Sequence, residues 1–90
     1  MKVNFLDKKY QIEKYFEENE DDFYSYDHDS LFDIFDNELY FTLENRSYSI
    51  NENFLVTIPM KTDYSRNEYD SEIIIIIADL LKFIKEIFKN

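Results

Sequence analysis

Residues 39 to 60 read LYFTLENRSYSINENFLVTIPM, and this stretch decides the fold. Apolar and polar residues alternate from Leu39 to Glu44, the period of a half-buried strand. Asn45-Arg46 reads as a tight turn, because asparagine tolerates the left-handed backbone in a chain that has no glycine. Ser47 to Ile50 returns as a second strand, with Tyr48 and Ile50 on one face. Asn51 to Asn53 is the next turn. Phe54 to Met60 gives a third strand, with Phe54, Val56, Ile58 and Met60 on one face and Pro59 marking an edge or an end. The expectation is a three-stranded antiparallel meander with one apolar side.

Working upstream, Ser30 followed three residues later by Asp33 is close to a helix capping box. Leu31, Ile34 and Phe35 would then share one face of a short helix over 30–37. Residues 20–29 are polar and irregular and read as a loop. Residues 7–19 read as a helix capped by Asp7, with Ile12, Tyr15, Phe16 and Phe23 as its apolar face. Met1, Val3 and Phe5 alternate, as a short leading strand would.

Downstream, Lys61 to Asp70 is a polar connection. Residues 70–89 read as a helix whose stripe is Ile73, Ile77, Leu80, Leu81, Ile84, Ile87 and Phe88. The isoleucine run from Ile73 to Ile77 also suits a buried strand, since β-branched residues favour strands. The helical period continues to Phe88 and decides for helix. Ile75 and Phe83 lie off the stripe. The fold class is therefore α+β in a single domain, 1–90. A small three-stranded antiparallel sheet is packed by a long C-terminal helix, with one or two N-terminal helices beside it.

Composition excludes much chemistry. With no cysteine there is no disulfide, thiolate metal site or cysteine nucleophile. With no glycine, the phosphate-binding loops and the standard EF-hand loop are gone. The N-terminal residues carry charge at Lys2, Asp7, Lys8 and Lys9 and do not read as a secretory signal. The longest apolar run, Ile73 to Ala78, falls far short of the roughly 20 residues of a membrane span. A cytoplasmic protein without membrane or direct nucleic-acid contact is expected. Alanine, glycine, proline and arginine are scarce, while Asn, Lys, Ile, Tyr and Phe abound, as in an AT-rich gene of a low-GC bacterium, phage or mobile element.

The charge is concentrated. Glu17, Glu18, Glu20, Asp21, Asp22, Asp27, Asp29, Asp33, Asp36 and Glu38 fall in one stretch that holds no Lys or Arg. That stretch carries the whole formal net charge of the chain, -10, and the remainder is balanced. Phe23, Tyr24, Tyr26, Phe32 and Phe35 are interleaved with these acids. A merely solubilising tail has few aromatics, whereas tyrosine among charges is typical of protein interfaces. Unrelieved self-repulsion favours a basic partner.

Other chemistry finds weak support. Asp27, His28 and Asp29 form the one cluster resembling a metal or acid–base site, but a metal site needs more converging ligands, and a solvated loop is the expectation. With one histidine and no glycine-lined cleft, neither a triad nor a carboxylate-pair hydrolase is expected. No catalytic residue and no cofactor or metal are assigned.

A small, acidic, aromatic-rich, AT-biased α+β chain resembles the immunity proteins of bacterial polymorphic toxin systems, including contact-dependent growth inhibition. The resemblance is one of character across the chain and carries no residue over. It implies a cytoplasmic inhibitor or antitoxin that binds a cognate toxin, often a nuclease. On the residues alone, the candidate partner-binding set is Asp21, Asp22, Tyr24, Tyr26, Asp27, Asp29, Asp33 and Asp36. The carboxylates would meet Lys or Arg of a basic protein, and the tyrosines would pack. Two other classes stay open: a phage-type DNA mimic directed at a defence protein, and a regulatory homodimer joined through the C-terminal helix at Ile75 and Phe83.

Overall fold

Alternation begins earlier than Leu39. In the computed structural model, which describes residues 3–23, 30–44, 46–58 and 71–89, Phe32–Phe35 forms a strand, β1. It pairs antiparallel with β2, Glu38–Leu43, in the register Phe32↔Phe41 to Phe35↔Glu38. The expected helix over 30–37 is therefore corrected to a strand and a turn. Its two-residue link is Asp36-Asn37, both left-handed at φ 53 and 55. Paired positive φ values define the hairpin turn whose twist matches the flanking strands, and Asp and Asn are the non-glycine residues that tolerate it. Phe-Asp-Ile-Phe followed by Asp-Asn is thus a strand–turn signal that outweighs the capping pattern at Ser30.

Strand β2 pairs with β3, Arg46–Ile50, and β3 with β4, Val56–Thr57. The sheet is a four-stranded meander in the order β1-β2-β3-β4, one strand more than expected. Arg46 already pairs with Leu43, so the β2–β3 turn starts one residue earlier than read, with Glu44 at φ 49. The turn after Ile50 is built by Asn51, whose Oδ1 accepts from the backbone N–H of Asn53 at 2.8 Å and of Leu55 at 3.1 Å. Phe54, at φ 64, breaks the expected long third strand down to the two residues of β4. Phe54 and Val56 pack on the core, but Ile58 stays 48% exposed instead of sharing their face. Pro59 and Met60 lie outside the described residues, as does the polar connection 61–70.

At the N-terminus, Met1 of the expected strand lies outside the described residues, and Phe5 opens a 3-10 turn, Phe5–Lys8, capped by Asn4, whose side chain accepts from Leu6 N–H at 3.0 Å. Helix α1, Lys9–Glu18, follows, and Asp7 caps neither element. Part of the expected loop 20–29 is instead a short helix, α2, Glu20–Phe23. Ile12 and Phe16, one turn apart on α1, and Phe23 on α2 are fully buried, so that apolar face is as read.

The C-terminal helix α3, Ser71–Ile87, resolves the isoleucine run as helix. Ile73, Leu80 and Ile84 are buried, and Ile77, Leu81, Ile87 and Phe88 pack beside them. Phe83 is corrected: it stacks on Tyr15 at 4.5 Å and belongs to the packing between α1 and α3, not to an outer face. Ile75 remains 58% exposed.

The core joins α1, α2 and α3 to one side of the sheet. Phe16 is its centre, with ring centroids at 4.4 Å from Phe23, 5.0 Å from Phe32 and 6.2 Å from Phe41. Phe41 in turn stacks on Tyr48 at 5.8 Å. Offset and tilted ring pairs of this kind add to the area they bury. Leu39, Leu43 and Ile50 complete the inner face of the sheet.

Candidate functional site

Because side chains alternate across a strand, burying Leu39, Phe41 and Leu43 commits Glu38, Tyr40 and Thr42 to the other side of β2. The register then places Asp33 opposite Tyr40, and Phe35 opposite Glu38. Asp33 and Phe35 are exposed on β1, and Asp36 is exposed in the turn that follows. The outer face therefore carries an aromatic ring, Tyr40, with Asp33, Asp36 and Glu38 around it. A shallow groove of about 180 Å³ at this end of the sheet is lined in part by Asp33, Tyr40, Thr42 and Ser47.

The tyrosine responds to these charges. The Tyr40 hydroxyl is held above its ordinary value of 10.0 by loss of hydration first, then by the negative charge of Glu38 and a hydrogen bond to it, and then by Asp36 and Asp33. A neutral phenol beside three carboxylates can donate to an acidic neighbour and present its ring face to a cation at the same time.

Asn37 holds the turn in place. Its Nδ2 donates to the Val3 carbonyl at 2.9 Å and to the Glu52 carboxylate at 3.2 Å. Its Oδ1 accepts from Phe5 N–H at 3.0 Å. One side chain thus ties the β1–β2 turn to the N-terminal segment and to the turn between β3 and β4.

The other described candidates sit elsewhere. Asp21 and Asp22 are exposed on α2, next to exposed Glu17, Glu18 and Glu20. Asp22 belongs to a second aromatic corner. There, burial first, then Asp79, then Asp22 raise the Tyr15 hydroxyl above 10.0. The acidic stretch therefore surfaces on two elements, α2 and the β1–β2 hairpin. Tyr24, Tyr26, Asp27 and Asp29 lie outside the described residues, with His28. Among the described residues, no three His, Asp or Glu side chains come together to hold a metal ion. Nor, among them, is any helix long and apolar enough to cross a membrane.

Three residues join the candidate surface that the sequence reading left aside. Tyr40 reads as an ordinary strand residue until its pairing with Asp33 is known. Phe35, taken as helix core, is 69% exposed. Asn37 is visible only once Asp36-Asn37 is seen as a hairpin turn, for which two turn-forming residues between alternating segments are the signal.

No protein-family model matches the chain, and no curated protein or solved structure matches it at a significant level.

Proposed function

We propose that this protein is a bacterial immunity protein of the polymorphic-toxin kind. It acts in the cytoplasm as a non-enzymatic inhibitor, binding a basic toxin domain, such as a nuclease, through its acidic and aromatic surface. The observation that carries the reading is the placement of exposed Asp33 and Asp36, with Glu38, around Tyr40 and beside exposed Phe35. Carboxylates there would take the places that phosphates occupy on a nuclease. The two rings would supply the apolar area that dominates such interfaces. Attraction between opposite charges speeds encounter, which suits an inhibitor that must reach its target before damage is done.

The test compares the wild type with a variant carrying Asp27→Asn, Asp29→Asn, Asp33→Asn and Asp36→Asn. Each tagged protein is used to capture partners from a lysate of the source organism at low and moderate salt. The captured protein's own activity is then assayed with each form added back. The expected result is one basic protein, inhibited by the wild type and released by the folded variant. Equal affinity of both forms at low salt would remove the acidic surface from the function.

A further inference from the structure

Among the described residues, the edge of the sheet beside this surface has a row of backbone groups with no strand partner. A two-residue turn makes its flanking residues, Phe35 and Glu38, a hydrogen-bonded pair, and pairs then alternate along an antiparallel ladder. Asp33 is thus bonded to Tyr40, while Ile34 and Phe32 turn their N–H and C=O groups away from β2. Among the described residues no strand lies beyond β1, and no other backbone bond reaches Phe32 or Ile34. Those groups face a groove of about 270 Å³ whose far wall is Leu6, Lys9 and Glu13. Leu6 is 59% exposed there. The opposite edge, β4, is only two residues long.

We propose that β1 receives an extended segment of the partner as a fifth strand, in the groove between β1 and the Phe5–Lys8 turn. The inference rests on the reading of the partner as basic. Main-chain bonds to Phe32 and Ile34 supply affinity, and alternate side chains supply choice. On the outer face the incoming strand lies next to Asp33, so Lys or Arg fits at its alternate positions. On the other side it meets Leu6 together with Lys9 and Glu13, so its remaining positions are apolar where they face Leu6 and polar where they face the two charged side chains. A second copy of this chain is the wrong occupant. Pairing β1 with itself would set Asp33 and Asp36 of two chains, each at net charge -10, on one face, and like charges across a strand pair repel.

The test is amide hydrogen exchange on the full chain, followed residue by residue by NMR. The probes are a synthetic octapeptide of alternating lysine and valine and a matching one of alternating glutamate and valine. The lysine peptide should slow exchange at Phe32 and Ile34 by about tenfold or more. It should leave Asp33 and Phe35, already bonded to β2, nearly unchanged, and the glutamate peptide should protect none of them. Binding of the lysine peptide that Asp33→Asn and Asp36→Asn weaken, without protection of Phe32 and Ile34, overturns strand addition and leaves the acidic-surface reading standing. No binding overturns strand addition as well, and the inhibitor reading is then decided by the capture experiment alone. Protection of those two amides with rising protein concentration and no peptide would assign the edge to a second copy and overturn the basic occupant.

Discussion

Phe23 and Phe35 lie in the same acidic stretch, each with aspartate beside it, and the fold sends them opposite ways. Phe23 is 1% exposed and packs between Phe16 and Phe41, whereas Phe35 is 69% exposed. Composition treats the two alike. What separates them is the period of the element that carries each. Phe23 ends a helical turn whose other positions, Glu20, Asp21 and Asp22, are acidic and face solvent. Phe35 sits on a strand whose inner positions are already taken by Phe32 and Ile34. An aromatic among acids is thus core or surface according to pleat and turn, and only the second kind is available to a partner.

Substitution should separate the pair most sharply. Phe23→Ala removes a ring from the centre of the core and should cost about 3–5 kcal/mol, seen as a lowered denaturation midpoint with unchanged slope. Phe35→Ala should change stability by no more than about 0.5 kcal/mol while weakening partner capture by about 2 kcal/mol. Equal losses of stability would mean that Phe35 is part of the core after all.

Asn37 anchors the turn next to Phe35, and a one-residue slip of β1 would exchange the two faces of the strand. Asn37→Ala loses both the left-handed tolerance and the side-chain bonds, an expected cost of about 2–4 kcal/mol. Asn37→Gly keeps the backbone and loses the bonds only, for about 1–2 kcal/mol. Denaturation of both variants separates the two contributions, and equal values would deny the turn any conformational strain. The next hairpin offers a smaller effect of opposite sign. Glu44→Gly relieves a left-handed residue whose side chain makes no hydrogen bond among the described residues, and a gain of about 1 kcal/mol is expected by the same measurement.

The smallest effect concerns the two tyrosines that mark the two acidic corners. Tyr15 has its hydroxyl raised above 10.0, chiefly by burial and then by Asp79 and Asp22. As pH rises, the unfolded chain therefore loses this proton first. The contribution to stability is whole below pH 10 and declines as pH climbs through 10 toward the folded-state value. Asp79→Asn should move the titration of Tyr15 downward, read as phenolate absorbance against a Tyr15→Phe control. No movement would mean that Asp79 contributes nothing and that burial, with Asp22, sets it.

Much of this architecture was legible in the residues. The alternation from Leu39 and the stripe from Ile73 to Phe88 marked β2, β3 and the C-terminal helix, because long periodic segments leave few alternatives. The short elements were not so constrained. Ser30 to Asn37 satisfied a capping pattern and a helical face as well as a strand and turn, and the choice fell to pairing with β2, which is a distant contact. Phe83 looked peripheral because its partner, Tyr15, comes from the other end of the chain. The acidic residues were identifiable as a group, but their division between α2 and the hairpin depends on where the chain turns. Asp21, Asp22, Asp33 and Asp36 are all exposed.

Asp36, Asn37, Glu44 and Phe54 hold left-handed conformations in a protein with no glycine. Glycine codons all begin with two guanines, while asparagine is encoded by two adenines and a pyrimidine. A gene driven toward A and T is steered from the residue that turns most freely to the next most tolerant one. Asn37 repays the exchange with hydrogen bonds that glycine could not make, but Glu44 and Phe54 simply bear the strain. In this chain the turns that glycine would ordinarily take fall to residues with a Cβ, and at Asn37 the side chain itself holds the turn.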